Sequence, residues 1–292
     1  MAKILLTGVN GQVGHELLKA LNTLADVVAV TRQEMDLSSE TSILQTLDKY
    51  QPTIIVNPAA YTAVDKAETE QEQAYLVNSQ APKVMAQWAA RHNALLVHYS
   101  TDYVFDGTKE GMYLEEDTPN PQSVYGKSKL LGEQAIQQSD AKHLIFRTSW
   151  VFGVHGNNFI KTIIRLAKEK ESLNVVADQH GAPTSARLIA HVTQQVLTQY
   201  LQNDAFNAYG IYHLTAHGQT TWHQYAQFIV EQVQQKQILN LTVAKVYAIP
   251  SIEYPVPAKR PLNHGDLFRR GTRDRARERD QPDGETGRER AE

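Results

Sequence analysis

Three side chains in this sequence could together protonate a carbonyl oxygen: the hydroxyl of Thr101, the phenol of Tyr125 and the ammonium of Lys129. Tyr125 and Lys129 stand four residues apart, so on a helix they share one face. Thr101 follows a hydrophobic run, Ala94 to Tyr99, that reads as a buried strand delivering Ser100 and Thr101 at its end. A phenol beside an ammonium is expected to have its pKa drawn down toward neutrality, which suits general acid–base work. A Tyr-x-x-x-Lys pair alone is common on helix surfaces. It becomes specific when a Ser/Thr at a strand end and a glycine-rich nucleotide loop accompany it.

That loop opens the chain. Ile4 to Thr7 is a short apolar strand, followed at once by Gly8-Val9-Asn10-Gly11-Gln12-Val13-Gly14, after which Val13, Leu17, Leu18 and Leu21 recur at helical spacing. Gly8 permits a tight turn, Gly11 a close approach of backbone to phosphate, and Gly14 the packing of helix on strand. The amides of the helix N-terminus would meet a pyrophosphate. A second strand, Val27 to Val30, ends in Thr31-Arg32, with no acid where an NAD ribose is usually held. Arg32 is either a solvated arginine or a contact for a 2'-phosphate, which favours NADPH, with NADH also accepted. Asp36 and Leu37 are placed to edge an adenine. Asp36 could equally cap the helix over Ile43, Leu44 and Leu47, to which Ser38 and Ser39 also offer hydroxyls.

These elements must be positioned by a sheet. Thr53 to Val56 is apolar and β-branched, as a strand covered on both faces should be, and runs into the small residues Ala59 and Ala60 before Tyr61. A crossover helix, Pro82 to Ala90, turns Val84, Met85 and Trp88 inward, and His143 to Arg147 is a fifth strand. Repeated strand–helix–strand units specify an α/β fold: a Rossmann-like, doubly wound parallel sheet, with residues 1–150 as an NAD(P)-binding domain. Past 150 a helix is expected to end near Lys170, then a strand 174–177, a helix 185–200, a strand 210–214, a helix 222–233 capped by Thr221, and a strand 241–248. These form a smaller substrate-binding lobe, 151–267, interleaved with the last elements of the main sheet. His180, His213, His217 and His223 lack metal-ligand spacing, so no metal site is expected among them.

Residues 268–292 differ from all this. They hold eight arginines and seven acids with no large apolar residue after Phe268, so they are expected to form a disordered, charged tail. Too little apolar surface follows Asn263 to secure the segment carrying Arg260, which should therefore be loosely held. A net charge of −3 gives no reason to expect nucleic acid or a charged membrane as partner. The absence of cysteine removes disulfides, iron–sulfur clusters, thiolate zinc and cysteine nucleophiles. With no leader-like start and no apolar run of membrane-spanning length, a cytoplasmic protein is expected.

Together with Asn57-Pro58-Ala59-Ala60-Tyr61-Thr62, His98-Tyr99-Ser100-Thr101-Asp102-Tyr103-Val104-Phe105-Asp106-Gly107, Asp178-Gln179-His180-Gly181-Ala182-Pro183-Thr184 and Ala258-Lys259-Arg260-Pro261-Leu262-Asn263, these motifs resemble the extended short-chain dehydrogenase/reductases. The likeness runs over about residues 3–263. It implies reduction of the C4 keto group of dTDP-6-deoxy-L-lyxo-4-hexulose by NAD(P)H. Thr101 would polarise the carbonyl, Tyr125 donate the proton, and Lys129 support the tyrosine and the nicotinamide ribose. Gly8, Gly11, Gln12, Val13, Gly14, Asp36, Leu37, Ala59, Ala60 and Tyr61 match cofactor-side positions; Val64, Tyr103, Trp150 and Arg260 match residues lining a sugar-nucleotide site. Some relatives dimerise through a Mg2+ site. Glu16 matches one ligand but Arg187 stands where another would be, so a monomer or weak homodimer is expected. Related dehydratases place a second acid after the Ser/Thr-Asp; here Tyr103 follows Asp102, leaving elimination without its base. Other readings on this fold are an epimerase and a non-catalytic regulatory subunit.

Overall fold

The computed structural model describes residues 2–263; the expected tail at 268–292 lies outside them. In chain order the first elements are β1 (Lys3–Leu6), α1 (Gln12–Leu21), β2 (Asp26–Ala29), α2 (Glu40–Tyr50), β3 (Ile54–Asn57), α3 (Val64–Ala67), α4 (Gln71–Tyr75), α5 (Ala81–Arg91), β4 (Leu95–Thr101), α6 (Val124–Gln137) and β5 (Lys142–Thr148). A wide helical turn, Leu76–Gln80, joins α4 to α5. There follow β6 (Val151–Phe152), α7 (Phe159–Glu169), β7 (Ser172–Val176), β8 (His180–Gly181), β9 (Thr184–Ser185), α8 (Ala186–Gln202), β10 (Gly210–His213), β11 (Thr220–Thr221), α9 (Trp222–Gln235) and β12 (Lys245–Ile249).

Six strands form a wholly parallel sheet in the order β10-β5-β4-β3-β1-β2. The chain leaves β1 toward β2 and then crosses back to β3. The order therefore reverses between β1 and β3, and a crevice opens beyond their carboxyl ends. Alternation along the strands supplies two cores. Leu5, Ile55 and Leu96 face α2 and α5, packing on Ile43, Leu47, Val84, Met85 and Trp88. Ile4, Leu6, Ile54, Val56, Leu95 and Val97 face α1 and α8, meeting Leu17, Leu21, Ile189 and Leu197. Trp88 is in the core as its pattern predicts, with its indole N–H donating to Asp48 (2.7 Å).

Residues past 150 return to this sheet, because β10 extends its edge beside β5 and α8 packs along α1. The remainder makes a third core, in which Ile163, Ala167, Leu173, Val175, Ala226, Ile229, Val230 and Val243 come from α7, β7, α9 and the segment leading to β12. That last strand is shorter than its sequence suggests. The amides of Val243 and Ala244 go instead to the carbonyls of Ala167 (2.9 Å) and Glu171 (2.8 Å), so pairing with β7 begins only at Lys245.

Helix α6 is fixed by close backbone contact. A Cβ at Gly132 of α6 would lie 2.2 Å from the carbonyl oxygen of Asn78 in the wide turn. Neither backbone can yield without moving the helix that carries Tyr125 and Lys129. Gly132→Ala is therefore expected to lower stability by about 1–3 kcal/mol in urea unfolding, despite alanine's better helix propensity. A stabilised variant would contradict this packing.

Candidate functional site

Two cavities share Gly8, Ala59 and Ala60 and run along the carboxyl edge of the sheet. The first, about 480 Å3, is bordered by Arg32, Asp36, Leu37 and Tyr61. The second, about 730 Å3, holds Gly11, Gln12, Val13 and Gly14 at one side, Thr101, Tyr125 and Lys129 at its floor, and Val64, Tyr103, Trp150 and Arg260 at the other. Each residue matched above to the catalytic, cofactor or sugar-nucleotide positions, and Arg32, thus lines one or other of these adjoining cavities.

The glycine loop leaves a cradle that side chains would fill. Gly8 has φ +60°, where a Cβ is strained, and that Cβ would also lie 2.9 Å from the Ala59 amide nitrogen. A Cβ on Gly14 would fall 2.1 Å from the Gly8 oxygen. Helix α1 starts here with no acid in its first turn, so its leading amides favour an anion. The cradle has the open backbone and the polarity that a phosphate group requires. On the rim of the other cavity Arg32 is 78% exposed, its Nε 3.9 Å from Asp36. Asp36 accepts from the Ser38 amide (3.0 Å) and hydroxyl (2.8 Å), bonds that hold its carboxyl below the usual range. It therefore acts locally as a turn cap, while Ser39 caps α2.

At the end of β4 the Thr101 hydroxyl donates to Asp102 Oδ1 (2.8 Å), whose other oxygen accepts from the Ser149 hydroxyl (2.6 Å). Helix α6 begins at the Ser123 cap, so Tyr125 lies in its first turn and Lys129 one turn further on. Lys129 is 1% exposed, and its Nζ donates to the Tyr99 carbonyl (2.7 Å) and meets His98 Nε2 (3.1 Å). Burial pulls its pKa down to about 8.

The expectation that Lys129 would draw the Tyr125 phenol toward neutrality is not met. Tyr125 is half-buried in the cavity lining. Burial pushes the phenol well above its ordinary value; a hydrogen bond with Thr101 offsets part of this, and the Asp102 carboxylate adds to it. The amine is occupied by Tyr99 and His98, so desolvation and the nearby carboxylate prevail over its attraction.

Arg260 also differs from expectation. It is anchored: Nη2 binds Asp65 (2.8 Å) and Nη1 lies 3.5 Å from the Tyr103 hydroxyl. The segment behind it is tied by polar bonds rather than apolar surface. The Asn263 amide group donates to the carbonyls of Lys109 (2.7 Å) and Gly111 (3.1 Å), and the His180 N–H donates to Leu262 (2.9 Å). Gly107, at φ +76°, lets Pro261 and Leu262 pass close over it.

Sequence reasoning missed Trp222, Asp65 and Asn158 as parts of the site. Trp222 stacks on Trp150 at 3.4 Å and 10°, while Trp150 itself takes φ +44°. Asn158 bridges Gln12 (3.0 Å) and the Gly153 carbonyl (2.7 Å) and caps α7. An aromatic just after the Thr221 cap, and an Asn before an amphipathic helix, were the available signals. Glu16 pairs with Lys19 (3.1 Å), and no cluster of three metal-ligating side chains occurs among the described residues of the single chain. Among those residues no helix is long and apolar enough to cross a membrane.

Comparison with known proteins agrees over nearly the whole described chain. The family model described as RmlD substrate binding domain matches residues 2–267. A dTDP-4-dehydrorhamnose reductase of Burkholderia thailandensis is 47% identical over 264 residues, covering 89% of each chain. A crystal structure of a dTDP-4-dehydrorhamnose reductase from Clostridium acetobutylicum superposes with TM-score 0.82 at 38% identity, over 90% of this chain and 89% of that one. One from Bacillus anthracis, solved in complex with NADP, gives 0.82 at 34%, over 90% of each.

The buried amine of Lys129 has a measurable cost. Its folded pKa near 8 lies below the unfolded value of about 10.4, so between these the unfolded chain binds more protons and stability rises with pH. The cost of the buried charge is fully present below about pH 8. Lys129→Met is therefore expected to be more stable than the parent by about 1–3 kcal/mol at pH 7, with the advantage narrowing between pH 8 and pH 10. A pH-independent difference in urea midpoints would refute it.

Proposed function

The chain belongs to the RmlD substrate binding domain family, and on that premise we propose that it reduces the C4 keto group of dTDP-4-dehydro-L-rhamnose to dTDP-L-rhamnose with NADPH as reductant. The observation that carries this reading is the meeting of Thr101, Tyr125 and Lys129 in the lining of a cavity that also holds the glycine loop. Reduction of a ketone needs a proton donor beside the site that receives the hydride. Tyr103, where a dehydratase would carry a second acid, supports reduction over elimination.

When bound, NADPH supplies the hydride. Gly8, Gly11, Gln12, Val13 and Gly14 would hold its pyrophosphate, Ala59, Ala60 and Tyr61 would face it across the crevice, and Leu37 would edge the adenine. Arg32, on the open rim, would take the 2'-phosphate, and residues 1–150 would carry most of the cofactor. Tyr125 delivers its proton to the C4 oxygen as negative charge develops there, and Thr101 would fix that oxygen by turning its hydroxyl hydrogen from Asp102 toward it. Lys129, one helical turn away, would hold the nicotinamide ribose. The substrate side is assigned to Val64, Tyr103, Trp150 and Arg260, from both halves of the chain. The planar fork of Arg260 suits phosphate oxygens, and Asp65 holds it in place.

The protein should oxidise NADPH when given the keto-sugar nucleotide, followed at the nicotinamide absorbance band. Tyr125→Phe should leave NADPH affinity nearly intact and slow turnover by about 100-fold or more, since only proton donation is lost. Near-normal turnover in that variant would place the proton elsewhere. Arg32→Ala should raise KM for NADPH while leaving that for NADH unchanged; equal effects would place Arg32 away from the 2'-phosphate.

A further inference from the structure

A polar rung crosses the sheet just beyond its apolar core. Leu5, Ile55 and Leu96 lie level on neighbouring strands and face the α5 side. Two residues further along each strand, on the same face, come Thr7, Asn57 and His98. All three are buried, at 2%, 0% and 0% exposure. Such side chains are costly in a core unless they satisfy one another, and here they do.

Their bonds have a direction. The Ala59 backbone N–H can only donate, and it points at Thr7 Oγ1 (3.4 Å). The Thr7 hydroxyl donates in turn to Asn57 Oδ1 (2.6 Å), which leaves the Asn57 amide nitrogen facing His98 Nδ1 (3.2 Å). A neutral imidazole that accepts at Nδ1 carries its hydrogen at Nε2. Nε2 faces Lys129 Nζ at 3.1 Å. An N–H aimed at the lysine is a partner for the lone pair of an amine and a mismatch for an ammonium.

We propose that Thr7, Asn57 and His98 form a directional hydrogen-bond chain that favours the uncharged amine of Lys129, making His98 and Asn57 positioning residues for the lysine of the site. The proposal deepens the reductase reading, since it concerns how that lysine is tuned. The environment agrees with it. Burial and the neighbouring lysine hold His98 well below its ordinary pKa against a partial offset from the Asn57 backbone, so the ring is neutral. Glu133, on the same helix, is the charged neighbour that favours the ammonium, while Tyr125 and Asp102 share the cavity lining with Lys129. Glu133 is committed to Arg147 of β5 (2.7 Å), and Asp102 to Thr101 and Ser149. The rung also begins at Ala59, which forms the cofactor cavity wall against Gly8, so the proton affinity of Lys129 is tied to the backbone that frames the cofactor.

Thr7→Val tests this without adding charge. Losing the hydroxyl frees the Asn57 amide to turn over and present its oxygen to His98 Nδ1. The hydrogen then resides there, and Nε2 becomes an acceptor for an ammonium. The Lys129 pKa, read in cofactor-free protein from the 13Cε lysine NMR signal missing in Lys129→Met, should rise by about 0.5–1 unit. An unchanged value in folded Thr7→Val overturns the proposal. If that variant does not fold, Asn57→Asp serves: its carboxylate would take the Nδ1 hydrogen and raise the lysine pKa. That rise must vanish when His98→Gln is added; a rise that persists is simple charge attraction and overturns the chain. The NMR titration needs no turnover, so failure of the reductase reading would appear separately, as no NADPH oxidation by the parent protein.

Discussion

The structure depends on holding one amine inside the protein at the edge of a sheet. Lys129 is almost wholly buried where it lies, so its nitrogen must be met by fixed neighbours: the Tyr99 carbonyl, which accepts from it, and the His98 ring, which faces it. Those neighbours belong to β4, which can present them only if the helix carrying the lysine lies close against the sheet. Gly132 permits that approach against Asn78, and the Arg147–Glu133 pair, both ends almost fully buried, ties the same helix to β5. Asn78 completes the frame: its side chain accepts from the Tyr61 amide (2.8 Å) and donates to Ser128 (3.0 Å), linking the loop after β3 to α6. Breaking a buried pair of this kind strands a charge, so these contacts fix geometry more than they add stability.

The chemistry follows from the same burial. Burial, with the Asp102 carboxylate adding to it, pushes the Tyr125 phenol up, while Thr101 beside it offsets part of that rise. Tyr103 contributes an apolar edge rather than a base, its ring set against Tyr125 at 5.4 Å and its own phenol pushed up to about 12 by burial. The opposite wall is assembled from distant parts of the chain. Trp150 follows β5, Trp222 opens α9, and Arg260 arrives on a segment pinned by backbone and amide hydrogen bonds. Interleaving makes this possible, because the chain returns to the main sheet through α8 and β10 before completing the smaller lobe.

Much of this was legible in the sequence, for definite reasons. Buried parallel strands betray themselves as short β-branched runs, so β1, β3 and β4 were read within a residue or two. Capping side chains did the same for helices: Ser39 and Thr221 both accept from the third helical amide. The site residues were found because glycine spacing and a Tyr/Lys pair at helical spacing are local signals. What failed was non-local. The charge environment of Tyr125 depends on Asp102 and on burial, neither visible from the four-residue spacing. The anchoring of Arg260 depends on Asn263 reaching Lys109 and Gly111 across some 150 residues. The pairing of Trp150 with Trp222 has the same origin, since stacking partners carry no sequence period.

The most direct test follows the hydride itself. With NADPH deuterated at the transferring position and the keto-sugar nucleotide as substrate, NMR of the product should show deuterium at C4 of the sugar, in one configuration. With unlabelled NADPH in D2O, C4 should carry hydrogen and no deuterium should enter at C4. Deuterium from solvent at a ring carbon without net NADPH oxidation, or no label at C4, would contradict the account and point to epimerisation or elimination on the same fold.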